Sequence, residues 1–294
     1  MNPRQTEIWT VIRMVEWGAS YFRQKRIDSP RLTIELMLAH VLGLKRFDLY
    51  MQFDRPLVET ELEKLRGMVK RRAAYEPLQY ILEEADFHGR TFKVRPGVLI
   101  PRPETELLVD EALRRTRSLR CLDVGTGSGC IAVTVALERP ETEVVAIDVS
   151  EEALQIAQEN AQNLGAERVE FRQIDFLSDE SLGSLGSFDL IISNPPYVSG
   201  GEISELQIEI RDHEPHIAVS DGADGLTFYR RFAAVGTSML RRDGEIFLEL
   251  GYGMADAVGK MFEQAGFHVD IYTDFDRIER ILRARKQSEV ASPL

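Results

Sequence analysis

Asn194, Pro195, Pro196 and Tyr197 stand directly after the apolar run Phe188 to Ser193, and residues of these types can hold a planar nitrogen. An amide or exocyclic amine nitrogen is a poor nucleophile because its lone pair is delocalised. An enzyme that alkylates it must place its two hydrogens in fixed acceptors and aim the lone pair. The Asn194 side-chain oxygen and the Pro195 carbonyl are two such acceptors, and neither can be ionised away from the task. The prolines fix φ and bring no backbone donor of their own, while the Tyr197 ring can stack on a flat group. An ordinary turn is the competing reading of the same four residues.

A second element lies upstream. Cys121-Leu122-Asp123-Val124 reads as a strand, Gly125-Thr126-Gly127-Ser128-Gly129 as a glycine loop, and Cys130 to Leu137 as an apolar helix. Alternate glycines let backbone approach a ligand closely, and the helix start offers free N–H groups and the positive end of a dipole. Such a loop also fits a dinucleotide-binding turn. The next strand, Glu143 to Ile147, ends in Asp148, where a carboxylate can accept from two ribose hydroxyls or merely cap a helix. A third, Val169 to Ile174, ends in Asp175 and Phe176, suited to an adenine amine and face, or to a surface acid beside a core ring. All these groups fall at the carboxyl ends of strands, where open parallel sheets bind ligands.

The elements that must position them alternate. Strands are expected at Arg120 to Val124, Glu143 to Ile147, Val169 to Ile174, Phe188 to Ser193, Glu245 to Glu249 and His268 to Tyr272, with Ile281 to Arg285 as a last one. Helical stretches between them argue for a doubly wound α/β sheet with right-handed crossovers. The N-terminal part reads as helical. Ile8 to Phe22 has apolar residues at helical spacing, Ser29-Pro30 opens a helix that Gly43 closes, and Thr60-Glu61-Leu62-Glu63 resembles a capping box for a helix reaching Arg72. Its aromatic residues, Trp9, Trp17, Tyr21, Phe22, Phe47 and Tyr50, read as core. Tyr80-Ile81-Leu82, Asp86-Phe87-His88-Gly89 and Thr91 to Val94 suggest a hairpin. The expected domains are a helical bundle over 1–75, a linker hairpin over 76–99 and a catalytic domain over 100–294.

The chain has 294 residues and a net charge of −12. Residues 1–84 hold 14 Lys and Arg against 12 Asp and Glu, leaving 22 against 36 for the remainder. So acidic a catalytic part argues against a duplex nucleic-acid substrate, whose phosphates need neutralising. Cys121 and Cys130 read as reduced thiols packed as small hydrophobes, and no metal-ligand spacing exists among the five histidines, so no metal is expected. No run approaches about 18 apolar residues, and Met1 to Thr6 lacks an export pattern. A cytoplasmic protein with no membrane partner is expected, its tail Gln287 to Leu294 disordered.

The chain resembles the HemK/PrmC family, the peptide chain release factor glutamine methyltransferases, within the Rossmann-like S-adenosylmethionine-dependent methyltransferases. Besides the shared motifs, Leu99-Ile100-Pro101-Arg102-Pro103-Glu104-Thr105-Glu106 is similar to the family's own signature, and Glu214-Pro215 and Asp221 to Leu226 are similar to family segments. The resemblance implies a mostly parallel seven-stranded sheet, with the N-terminal bundle binding the partner. By resemblance, Gly125, Thr126, Gly127, Ser128 and Gly129 line S-adenosylmethionine, Asp148 holds its ribose, Asp175 and Phe176 flank its adenine, and Asn194 lies between cofactor and substrate. Asn194, Pro195, Pro196 and Tyr197 then grip the glutamine of a Gly-Gly-Gln loop in a release factor, with S-adenosylhomocysteine as the other product. A monomer that forms no stable nucleic-acid complex is expected. Tyr75 and Glu83 stand where the family usually has glycine and Met254 where glutamine is frequent, which bears on linker geometry and partner fit.

The same Asn-Pro-Pro-Tyr chemistry serves enzymes that methylate exocyclic amines of adenine or guanine, the nearest alternative. A nicotinamide-dependent oxidoreductase would leave Asn194 to Tyr197 without a task, and a non-catalytic adaptor would leave the whole pocket without one.

Overall fold

In the computed structural model the described residues are 8–117 and 119–286; Met1 to Thr6 and the tail Gln287 to Leu294 lie outside them. Two compact units emerge, one from the chain up to Glu83 with Ile208–His213, the other from Glu84–Gln207 and the chain from Glu214 on.

The first unit packs helices α1 (Val11–Gln24), α2 (Pro30–Leu42), α3 (Arg46–Tyr50), α4 (Glu59–Ala73) and α5 (Leu78–Leu82). Val11, Val15, Phe22, Ile34, Met37 and Leu65 form its core. Thr10 caps α1, accepting from the Arg13 N–H at 3.5 Å. The expected caps of the next helices differ. Ser29 sits at the start of α2 without a side-chain capping bond. At α4, Glu61 reaches back to the Val58 N–H at 2.9 Å, so the helix begins before Thr60. Tyr80-Ile81-Leu82, expected as strand, is the end of α5, where Ile81 and Leu82 pack into the core of the helical unit. Phe47, Trp17 and Tyr50, expected in the core, are exposed. Tyr75 and Glu83 keep φ values of 64° and 60°, so two side chains occupy the left-handed backbone that glycine adopts without cost.

The second unit starts with the hairpin β1 (Glu84–Phe87) and β2 (Arg90–Lys93). The hairpin is packed into this unit: Phe87 and Phe92 belong to its core, and Asn160 bonds both the N–H and the carbonyl of Lys93. From here α6 (Pro103–Arg115), β3 (Arg120–Val124), α7 (Cys130–Glu138), β4 (Glu143–Asp148), α8 (Glu151–Leu164), β5 (Glu170–Gln173), α9 (Asp179–Leu182) and β6 (Phe188–Ser193) alternate. After α10 (Ile208–His213), which belongs to the first unit, α11 (His216–Val219) leads to α12 (Thr227–Met239), β7 (Leu240–Glu249), α13 (Ala255–Gln264), β8 (Phe267–Thr273) and β9 (Glu279–Lys286).

Seven strands form one sheet in the order β5-β4-β3-β6-β7-β9-β8, parallel except that β9 runs against both neighbours. This is the expected doubly wound, mostly parallel seven-stranded architecture. One core layer holds α6 and α7 residues against one face, the other holds α12 and α13 residues against the opposite face. Phe188, Phe232, Phe247, Phe262 and Phe267 are fully buried, each worth roughly 1.5–3 kcal/mol of transfer free energy. Cys121 and Cys130 are buried free thiols, and burial pushes the Cys130 thiol up to about 12.

Register decides what meets at the carboxyl edge. Val124 lies opposite Ile147, Asp123 opposite Ile192, and Ser193 opposite Leu248. The residues that follow β3, β4, β6 and β7 therefore share one level. β3 lies between β4 and β6, so successive crossovers leave it in opposite directions and open a crevice there.

Candidate active site

The loop after β3 needs its glycines, since Gly125, Gly127 and Gly129 have φ values of 72°, 55° and 81°. They serve two ends. A Cβ on Gly129 would sit 3.0 Å from the Ala157 side chain, so this glycine lets α8 approach. A Cβ on Gly125 or Gly127 would meet nothing within 4 Å, so these two leave open space beside bare backbone. The Gly125 and Thr126 N–H groups donate to the Ile147 carbonyl, tying the loop to the neighbouring strand.

Asp148 fixes the other side of the cradle. Its Oδ2 accepts from the Gly127 N–H and its Oδ1 from the Ser150 N–H, both at 2.9 Å. Partial burial holds its carboxyl above the usual range, with the backbone N–H groups opposing. Each oxygen retains a lone pair, so the carboxylate can still take hydroxyl donors.

Asp123, not expected to matter beyond its strand, governs the loop from beneath. Fully buried, its Oδ2 accepts from the Thr126 hydroxyl at 2.7 Å and the Ala132 N–H at 3.1 Å, while Oδ1 has no partner. Burial pushes its carboxyl up to about 7 against those two bonds, with the Asp148 charge adding to the rise. For an acid raised on folding, the unfolded chain ionises first as pH rises from about 4, so stability falls until the folded group ionises near 7. Asp123→Asn removes this titration. In urea titrations between pH 4 and 8, the stability of the parent relative to the variant is expected to fall up to about pH 7 and level off above it. A difference independent of pH would show that Asp123 titrates normally.

Asp175 and Phe176 follow β5. Asp175 is exposed and accepts from the Leu177 N–H at 2.9 Å. Phe176 is almost wholly buried, its ring 4.4 Å from that of Phe232, so most of its surface is committed to the core.

The segment after β6 is held from several sides. Ser193 donates to the Val124 carbonyl at 2.7 Å, locking the end of β6 to the end of β3. Asn194 Nδ2 donates to Thr105 Oγ1 at 3.1 Å, and Thr105 Oγ1 donates to Glu249 Oε2 at 2.6 Å. The Tyr197 hydroxyl lies 3.5 Å from Glu249 Oε1, and Tyr229 donates to the Glu249 carbonyl at 2.8 Å. Burial pushes the Glu249 carboxyl up to about 7, the Thr105 bond opposing and the Glu104 charge adding to the rise, with Arg280 opposing. Burial also raises the Tyr197 phenol, so the ring stays neutral. Pro195 is buried and Pro196 half-buried.

Glycines again permit the approach. Added Cβ atoms would lie 2.3 Å from the Tyr197 carbonyl oxygen at Gly225, and 2.9 Å from the Tyr197 ring and 2.6 Å from Met254 Sδ at Gly251. Asp221 shapes the loop carrying Gly225 by accepting from the Ala223, Gly225 and Thr227 N–H groups. Glu214 holds the segment before α6, accepting from the Ile100 N–H at 3.1 Å and Arg102 at 2.6 Å.

The structure therefore brings the glycine loop, Asp148 and Asn194 to Tyr197 to one crevice edge, and leaves Phe176 largely in the core. Sequence reasoning missed Asp123, Glu249, Gly225 and Gly251 as site residues and quoted Thr105 only within a signature. The readable signal for Glu249 was an acid ending an apolar strand. Among the described residues no group of three His, Cys, Asp or Glu side chains is placed to hold a metal ion. No helix among them is long and apolar enough to cross a membrane.

Residues 13–82 match the PrmC N-terminal domain family, and residues 115–214 match a methyltransferase domain family. The chain is 43% identical to the release factor glutamine methyltransferase of Geobacter sulfurreducens, over 95% of this chain and 98% of that protein. It is 40% identical to the protein of the same name from Chlorobaculum tepidum, over 96% and 99%. A solved methyltransferase structure from Pyrococcus furiosus shares the fold, with a TM-score of 0.52, 19% identity and coverage of 74% of this chain and 99% of that one.

Proposed function

This chain belongs to the release factor glutamine methyltransferases, and we propose from that premise that it methylates the side-chain amide nitrogen of a release-factor glutamine, the one in a Gly-Gly-Gln loop. The observation that carries the reading is the Asn194 amide. Its nitrogen is engaged by Thr105, so its oxygen is left as the acceptor at the carboxyl end of β6, beside the glycine loop.

The residues of the crevice fit S-adenosylmethionine. Gly125 and Gly127 offer a backbone cradle that any side chain would fill, and Asp148 presents a carboxylate with free lone pairs to ribose hydroxyls. Asp175, exposed after β5, is assigned to the adenine amine in this reading, with the largely buried Phe176 beside it. When bound, this cofactor supplies an electrophilic methyl group with a good leaving group already attached.

The protein's contribution is alignment. Asn194 Oδ1 and the Pro195 carbonyl take the two amide hydrogens of the substrate glutamine and turn its lone pair toward the methyl group. Those acceptors interact most strongly as the nitrogen gains positive charge, which favours the transition state over the ground state. Tyr197 lies along the flat amide, kept neutral by burial. The methylated nitrogen becomes acidic and releases its proton to solvent, so no general base is assigned.

The helical unit is the partner-binding part in this reading. Support comes from its exposed Arg23, Lys25, Arg26 and Lys70 and from the exposed Trp17 ring stacked on Tyr21. Arg72 takes no part, being buried and paired with Glu209.

Incubation with radiolabelled cofactor and a purified release factor, followed by peptide mass mapping, tests the proposal. Label on the Gly-Gly-Gln glutamine is the expected result, and label on tRNA or DNA offered in parallel, with none on the factor, would overturn it. Asp148→Ala is expected to weaken cofactor affinity by roughly one to two orders of magnitude through loss of charge-assisted hydrogen bonds and loop support. Calorimetry showing parental affinity would remove Asp148 from the cofactor site.

A further inference from the structure

Asn194 has a symmetry problem that its own side chain cannot solve. The two ends of a carboxamide have nearly the same shape but opposite hydrogen-bonding sense, and only one orientation presents an acceptor to substrate. Turned over, Asn194 would face the substrate NH2 with its own NH2 and repel it.

We propose that Thr105 and Glu249 are positioning residues that set the orientation of the Asn194 amide by passing hydrogen-bond polarity along a chain. The inference rests on the reading of Asn194 as the substrate's acceptor. Glu249 is 2% exposed, and once ionised, above the pH near 7 to which burial pushes it, its carboxylate oxygens only accept. The single Thr105 proton is committed to Glu249 Oε2 at 2.6 Å. Thr105 Oγ1 then has only lone pairs for Asn194, and at 3.1 Å it takes the Nδ2 end. The Oδ1 end is left for the substrate.

The chain is built into the fold. Ser193 pairs with Leu248, so Asn194 and Glu249 leave adjacent parallel strands at one level, and Thr105, 3% exposed in the first turn of α6, bridges them. Tyr229 holds the Glu249 backbone and the Tyr197 hydroxyl faces its second oxygen, so one carboxylate reaches Tyr197 directly and Asn194 through Thr105. Glu249 touches no substrate in this arrangement; it acts through Thr105.

The test is a double-mutant cycle on the full chain with a release factor as substrate, at a pH about one unit above the value near 7 at which Glu249 ionises. Thr105→Val, which keeps the shape and deletes the hydroxyl, is expected to lower kcat roughly ten- to a hundredfold, up to the loss that a misplacement of about 1 Å causes. Cofactor affinity should stay close to parental, and Thr105→Ser should restore turnover. In an Asn194→Ala background the same change should cost nothing further. Parental turnover in Thr105→Val, or a full additional loss in the Asn194→Ala background, overturns the inference.

A readout independent of turnover separates this inference from the proposed function. The Asn194 side-chain NH2 resonance, identified by its disappearance in Asn194→Ala, should exchange slowly with solvent in the parent and quickly in Thr105→Val. Equal exchange would refute the positioning role. A parent that leaves release factor unmethylated would count against the proposed reaction while the exchange data still decide this one.

Discussion

Replacing Asn194 by Ala is expected to lower methyl transfer by about two orders of magnitude or more, comparable to deleting one preorganised donor of an oxyanion hole. The loss comes from one acceptor that is held before substrate arrives. Asn194 is braced through Thr105 to a buried carboxylate, so little reorganisation occurs when charge develops on the substrate nitrogen. A water molecule filling the space left by Ala would have to be ordered anew in each cycle. Cofactor affinity should change far less, because the cradle of Gly125, Gly127 and Asp148 rests on β3 and β4. Single-turnover transfer rates alongside calorimetry of cofactor binding check both halves. Parental transfer by a folded Asn194→Ala protein would remove this residue from the mechanism.

Gly225→Ala is expected to damage stability and activity together, although Gly225 lies far along the chain from the tetrapeptide. Its φ of 80° costs an L side chain about 1–2 kcal/mol. Its added Cβ would also lie 2.3 Å from the Tyr197 carbonyl oxygen, a backbone atom that cannot rotate away. Relief requires the Asn194 to Tyr197 segment to shift, and Val198, paired to the Val219 carbonyl, resists it. A total loss of about 2–4 kcal/mol follows, and a displacement near 1 Å at the acceptors would cost roughly a hundredfold in turnover. Gly222→Ala is the control. Its φ is 70° but its Cβ would meet nothing within 4 Å, so only the backbone strain remains. Denaturant titration and turnover of the two variants give the contrast, and equal behaviour would show that the contact with Tyr197 is not what constrains the site.

The catalytic part was legible because its signals are local. Apolar runs ending in glycine, acid or Asn-Pro-Pro-Tyr located four strands, and chain alternation supplied the winding. Phe188–Ser193 and Arg120–Val124 match their expected limits, since a turn motif bounds each. Signals that depend on neighbours misled. Tyr80-Ile81-Leu82 looked like a strand from apolar character alone, and a buried helical turn has the same composition. Thr60 looked like a cap because its spacing to Glu63 is correct, but Glu61 found the Val58 N–H instead. Phe176 was read as flanking a ligand, and only its 4.4 Å contact with Phe232 shows how much of the ring the core already claims.

By itself the sequence determined which residue types stand at the ends of which strands, because a strand, its glycine loop and its terminal acid are contiguous in the chain. It also determined the winding, since apolar strands separated by helical lengths have few ways to bury their faces. The tertiary structure alone decided which carboxylates became buried at the edge, and thus that Asp123 and Glu249 are both pushed up to about 7. It alone joined Thr105, Asn194 and Glu249, which are 89 and 144 residues apart along their two links. The reason is that strand register and the seating of α6 are set by whole-face packing, so the direction of a hydrogen bond between distant residues is a property of the assembled sheet and of no segment within it.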